Sequence, residues 1–154
     1  MHMYSAEEVV ELAVNTEKNG KAFYESAADG AKDKTLKDLF GFLAIQEDSH
    51  RKRFEALRGR TEKLMQPADI EETTKYLDAI VSSEFFMGGE KALVRAKKAG
   101  SRQELLSFAL QFETDTLLFF TEISELSEGT TKDVLEEIIK EEKKHVRIIS
   151  ELMK

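Results

Sequence analysis

Residues 36–57 read LKDLFGFLAIQEDSHRKRFEAL, and residues 135–152 read LEEIIKEEKKHVRIISEL. In the first stretch, Leu36, Leu39/Phe40, Leu43, Glu47, His50, Phe54 and Leu57 recur at three-and-four spacing, which is one face of a helix. In the second, Leu135, Ile138, Glu142, His145, Ile149 and Leu152 do the same. An apolar stripe faces a core. A Glu and a His set into that stripe three residues apart are therefore carried inward together. A buried carboxylate is costly unless it finds a partner or a proton. Both stretches thus predict a helix that brings charge into a bundle for a reason other than packing.

Two further stretches carry the same period. Over Ser5–Ala28 the stripe is Ala6, Val9/Val10, Ala13, Glu17, Gly20, Tyr24 and Ala27. Over Ser101–Ser127 it is Leu105/Leu106, Ala109, Glu113, Leu117, Phe120 and Ile123. Ser5 with Glu8, and Ser101 with Glu104, each read as a capping box that starts a helix. Asp29-Gly30 and Glu128-Gly129 read as stops. The four predicted helices are Ser5–Ala28, Lys34–Arg60, Ser101–Ser127 and Thr131–Met153. Thr61–Gly100 is too long for a plain loop. It is expected to be a partly helical crossover running the length of the bundle, punctuated by Pro67 and Gly88-Gly89. Short helices are expected over Thr74–Met87 and Glu90–Lys98. Two tight hairpins joined by one long crossover is the ferritin-like connectivity, and the expected fold is an all-α four-helix bundle forming a single domain over 1–154.

The hairpins also repeat each other. Ala13-x3-Glu17-x5-Phe23-Tyr24 lies over Ala109-x3-Glu113-x5-Phe119-Phe120, and Glu47-x2-His50-x6-Leu57 lies over Glu142-x2-His145-x6-Leu152. Two copies of one hairpin predict a pseudo-twofold. Glu17, Glu47, Glu113 and Glu142 each lie some way from their turn, about 20 Å at 1.5 Å per residue, so all six polar groups are expected in one mid-bundle layer. Glu8, Glu11 and Glu25 fall on the opposite, solvated faces.

Composition narrows the chemistry. The chain has 154 residues, 41% hydrophobic and 34% charged, with a net charge of −7. Without a basic cluster beyond Arg95-Ala96-Lys97-Lys98, nucleic acid is not an expected partner. No apolar run approaches a membrane span, and no basic-then-apolar leader opens the sequence, so a cytoplasmic location is expected. The absence of cysteine excludes thiolate ligands and iron–sulfur clusters.

Of three histidines, His2 stands near the N-terminus, and both others have Glu three residues before them. Glu fills 22 of 154 positions, so chance would produce both pairs roughly one time in fifty. One Glu from each of two helices plus Glu-x-x-His from the other two is the dimetal carboxylate set. Four carboxylates balance two divalent cations. Oxygen-rich ligation with one imidazole per metal suits iron or manganese better than closed tetrahedral zinc. The expected ligands are Glu17, Glu47, His50, Glu113, Glu142 and His145, holding two Fe ions, with Mn or a mixed pair as the alternative.

Over nearly its whole length the chain resembles the rubrerythrin-like branch of the ferritin-like family, most strongly at Glu17, Glu47-Asp48-Ser49-His50, Glu113 and Glu142-Lys143-Lys144-His145. The resemblance implies that Glu17, Glu47 and His50 serve one iron and Glu113, Glu142 and His145 the other, with Glu47 and Glu142 bridging. It implies redox chemistry with O2 or hydrogen peroxide. The chain departs from rubrerythrins in lacking their four-cysteine module, so a separate electron-donor protein is the implied partner. Thr116 stands where they carry an additional carboxylate. A ferritin-like storage role with ferroxidase activity, or a metal-free structural bundle, are the alternatives.

The same grounds extend to several neighbours. Tyr24 is expected in the core with its hydroxyl bonded near the site, a radical role being the minor reading. Glu84 is read as a surface or cap residue, with a supplementary ligand role as the alternative. Gln46 and Glu141, each preceding a motif Glu, could accept the free ring N–H of the opposite histidine, with a solvent-facing flank as the equal alternative. Leu117-Leu118-Phe119-Phe120 and Phe85-Phe86-Met87 carry more apolar surface than one stripe needs, so a homodimer contact or packing beneath the crossover is expected.

Overall fold

The computed structural model describes residues 4–59, 70–82, 94 and 96–154. Among them the elements are α1 (Ala6–Gly30), α2 (Lys34–Glu55), α3 (Ile70–Val81), α4 (Arg102–Glu125) and α5 (Gly129–Leu152), with no strand. The fold is an all-α bundle of two hairpins, α1–α2 and α4–α5, linked by a helical crossover.

Local chemistry sets the helix starts. Ser5 accepts from the Glu8 amide while Glu8 accepts from the Ser5 amide, a complete capping box. Asp33 caps α2 by accepting from the Thr35 amide. Ser101 caps α4, but the second half of its expected box differs: the Glu104 carboxylate reaches past the cap to the Gly100 amide at 2.9 Å. The ends depart further from expectation. α2 stops at Glu55 rather than near Arg60. The Leu57 and Arg58 amides bond back three residues to Phe54 and Glu55. That tightens the last turn, and Gly59 at φ 77° takes the left-handed conformation. Gly129, expected to close the third long helix, instead opens α5 at φ 61°.

Two hydrophobic clusters divide the core. One gathers Val10, Val14, Phe54, Phe120, Ile123 and Ile138. The other gathers Tyr24, Phe40, Leu43, Leu106, Ala109 and Ile149. α1 therefore runs from the first cluster to the second and α4 runs back the other way. α2 and α5 oppose each other in the same manner, as a twofold across the bundle requires. The crossover leaves α2 at the first cluster and enters α4 at the second. It spans the bundle, with Leu77 of α3 packed at one end and Ala96 and Ala99 at the other.

In the crossover, the helix expected over Thr74–Met87 is shifted to Ile70–Val81. Of Glu90–Lys98, only Val94 and residues 96–98 are described, and they are helical. Pro67, Glu84, Phe85-Phe86-Met87, Gly88-Gly89 and His2 lie outside the described residues. Among the described residues no helix is long and apolar enough to cross a membrane. Leu117, placed on the α4 stripe by period, is only half-buried, and the core positions there are Phe112, Thr116, Phe119 and Phe120. Leu118 is half-exposed, as are Phe42, Ile45 and Ile148 on α2 and α5.

Candidate metal centre

Between the two apolar clusters lies a polar layer. Glu17, Glu47, Glu113 and Glu142 are each 0% exposed, as is His50, and His145 is 3% exposed. α1 supplies Glu17, α2 supplies Glu47 and His50, α4 supplies Glu113, and α5 supplies Glu142 and His145. Glu8, Glu11 and Glu25 on the outer faces are exposed. One helical turn separates each Glu from its His, so both point into the same layer.

The six side chains form two overlapping groups. Glu17, Glu47, His50 and Glu142 each bring one ligand atom within 4.8 Å of the others; so do Glu47, Glu113, Glu142 and His145. Glu47 and Glu142 belong to both. The two imidazoles lie nearly parallel, with ring centroids 5.9 Å apart. Each turns Nδ1 inward. His50 Nδ1 lies 2.9 Å from Glu142 Oε1 and 3.6 Å from Glu17 Oε2. His145 Nδ1 lies 3.2 Å from Glu142 Oε2 and 3.6 Å from Glu113 Oε1.

Despite the sequence repeat, the carboxylates are not equivalent. Both Glu142 oxygens are hydrogen-bonded by imidazoles. Burial pushes its pKa up, but the neighbouring Glu113 carboxyl and the bonds from His145 and His50 outweigh this and hold the carboxyl below its usual range. Among the described residues, both oxygens of Glu17, both of Glu47, and Glu113 Oε2 have no hydrogen-bond partner. Burial, joined by repulsion from neighbouring carboxylates, drives Glu17 and Glu47 well above the carboxylate range and Glu113 to about 8. Burial disfavours the imidazolium forms, but the bonds to Glu142, and to Glu113 for His145, raise His50 to about 9 and His145 to about 10. Five buried oxygen atoms without partners, in a set balanced by two divalent cations, fit a metal pair. The same cation would displace the imidazole protons, so loading should release protons. At pH 7 we expect about two or more protons per chain on filling both positions. Calorimetry in buffers of different ionisation enthalpy measures this number, and zero release would rule out the protonation scheme.

An aromatic wall closes one side. Tyr24 donates to Glu113 Oε1 at 2.5 Å and stacks on Phe40, with Phe112 edge-on to it. The hydroxyl lies where the sequence places it. Thr116, at the position where the resemblance implies another carboxylate, is buried, and its Oγ1 has no hydrogen-bond partner among the described residues. Of the two flanking candidates, Glu141 meets the opposite histidine: its Oε2 lies 2.6 Å from His50 Nε2. Gln46 makes no hydrogen bond to His145 among the described residues. Gly20, which the period places on the inward stripe of α1, has a role at the site that the period alone does not reveal. A Cβ there would stand 2.8 Å from the Phe112 ring and 2.9 Å from Glu47 Oε2. A glycine inside a helix is costly, and that cost was the available signal for a close approach. Gly20→Ala should displace Glu47 or the locked Phe112 ring. It should destabilise the apoprotein by about 1–3 kcal/mol and weaken metal binding at both positions, read by denaturation and by metal titration. An unchanged affinity would mean that Glu47 has room to move.

The sequence profile of the Rubrerythrin family matches residues 8–97, more than half of the chain. This chain belongs to the rubrerythrin family. The matched segment takes in Glu17, Glu47 and His50; in this rubrerythrin-family chain the second half of the set is brought in by α4 and α5. A crystal structure described as that of a candidate ferritin-like diiron-carboxylate protein from Thermotoga maritima shares the fold. Its TM-score is 0.74 and its identity 21%, over 99% of this chain and 97% of that one. No curated protein matches the chain significantly.

Proposed function

We propose that this rubrerythrin-family chain is a di-iron oxidoreductase that reduces hydrogen peroxide or O2, with electrons from a separate donor protein. The carrying observation is the pair of overlapping four-residue groups that share Glu47 and Glu142, lined by buried carboxylate oxygens lacking any other partner. Glu17, Glu47, His50 and Glu142 would hold one iron, and Glu47, Glu113, Glu142 and His145 the other. When bound, the pair supplies two electrons at one place, so that an O–O bond can accept both from adjacent ions.

The protein's own contribution is positional. Helices hold each ligand from a rigid backbone, so the layer is formed before metal enters. Tyr24 holds Glu113 through Oε1 and leaves Oε2 free for a cation. Its ring, with Phe40 and Phe112, keeps water from that side of the carboxylates. Manganese, or a mixed pair, satisfies the same donor set.

The test is anaerobic loading with Fe(II), elemental analysis, then stoichiometric peroxide or O2. Two irons per chain and rapid consumption of oxidant support the reading. Fewer than one iron per chain from iron-supplemented cells, with no oxidant consumed, would falsify it. Sizing chromatography separates the storage alternative, which requires a large multi-subunit shell, from a small redox module; a homodimer is the assembly we expect.

A further inference from the structure

The two histidines differ on their outer sides. His50 Nε2 meets Glu141 Oε2 at 2.6 Å. Glu141 is itself held by Arg53 Nη1 at 3.2 Å, and Arg53 Nη2 reaches Glu137 at 2.5 Å. His50 is wholly buried, whereas the Glu141 side chain is 38% exposed, so this ring is braced from the surface by an anchored carboxylate. His145 has no such brace. Among the described residues its Nε2 makes no hydrogen bond, and its ring meets the edge or face of Phe42 with centroids 6.3 Å apart. The residue that the repeat sets against Glu141 is Gln46, an uncharged amide.

We infer that Glu141 is a positioning residue for His50, and that without a counterpart at His145 the two metal positions are unequal, the one bounded by Glu17 and His50 filling first. The physical reason is tautomeric. A carboxylate at Nε2 keeps a proton there, so the proton that a cation displaces is the one on Nδ1, which faces Glu17 and Glu142. It also fixes the ring plane and makes Nδ1 a stronger donor. His145 must select its tautomer and orientation when the cation arrives. Arg53 fixes Glu141 in turn. The inference rests on the dinuclear reading above.

The experiment is anaerobic titration of the apoprotein with cobalt(II), followed by visible absorption and calorimetry, on wild type, Glu141→Ala, Glu141→Gln and Glu137→Gln. Wild type should take up two equivalents in sequence, the first more tightly. Glu141→Ala should weaken the first equivalent by about tenfold or more and leave the second within about threefold, so the two steps merge. Glu141→Gln should fall between, because its amide oxygen still accepts from Nε2–H but carries no charge. Glu137 bonds to Arg53 and not to the histidine among the described residues, so Glu137→Gln should leave the first step tighter than the second. A residue that merely supported the fold would lower both constants together, and that result would overturn the inference. So would two equal constants in wild type, or a first constant that Glu141→Ala and Glu141→Gln both leave unchanged. Failure of wild type to bind cobalt at all would instead overturn the dinuclear reading.

Discussion

Stripping metal from the protein should lower its melting temperature by about 10 °C or more, and should leave it less stable at pH 8 than at pH 6. The first effect follows from mass action. A ligand held by the folded layer and not by the unfolded chain stabilises by about 4 kcal/mol at a thousandfold excess over its Kd, and in a chain of this size 1 kcal/mol shifts the melting temperature by about 2–4 °C. The second effect follows from linkage. His50 and His145 keep their protons to about 9 and about 10 when folded, against 6.5 in the free side chain. Glu113 keeps its proton to about 8, against 4.5. Glu17 and Glu47 are shifted in the same direction. Above pH 6.5 every one of these groups binds more protons in the folded than in the unfolded state, so stability falls as pH rises. Glu142 is shifted the opposite way, and its contribution is lost only on acidification below the ordinary carboxylate range. In the loaded protein the ligands have already given up their protons, and the trend above pH 6.5 should flatten. Thermal melts of chelated and loaded protein at the two pH values measure both effects. An apoprotein equally stable at pH 6 and pH 8 would show that the layer does not carry these protons.

Neutralising the two shared carboxylates should have opposite effects on the apoprotein. By sequence Glu47 and Glu142 are symmetry mates, and Gln at either would be expected to stabilise the empty bundle by relieving repulsion. The structure separates them. Glu47 is buried with both oxygens unpartnered, so Glu47→Gln removes an uncompensated acid and should stabilise the apoprotein at pH 8 by about 1–2 kcal/mol. Glu142 accepts from His50 and from His145. Glu142→Gln leaves two buried imidazoliums without their counter-ion and should cost about 3 kcal/mol or more. Each variant should lose the capacity for a second metal, while Glu25→Gln on the exposed face should change neither stability nor stoichiometry. Chemical denaturation of the apoproteins decides the sign. If Glu142→Gln proves the more stable of the two, the assignment of Glu142 as the charged centre of the layer is wrong.

The period of the apolar residues, the Ser5 cap and the spacing of Glu and His were enough to read four long helices, their pairing into hairpins and the six polar side chains carried inward. All of these are consequences of helix geometry within about one or two turns of chain, and a helix has the same period wherever it packs. The crossover was legible as a length, because chain leaving α2 must return along the bundle to begin α4. Helix ends were less so. Whether chain continues to Arg60 or turns at Gly59, and whether Gly129 ends one helix or begins the next, depends on which backbone groups find partners after packing.

What only the tertiary structure decided was how each helix is rotated against its neighbours. That rotation turns Leu117 partly outward and Thr116 inward. It brings Glu141 rather than Gln46 against a histidine, and it lets Gly20 admit the Phe112 ring and the Glu47 carboxylate. It also breaks the symmetry of the repeat, giving Glu142 both imidazoles and leaving the Glu17 and Glu47 carboxylates without a hydrogen bond among the described residues. These are contacts between side chains on different helices, set by packing shape across distances of a few ångströms. The repeat in the sequence specifies which residues enter the layer; the fit between helices specifies which of them bear the charge.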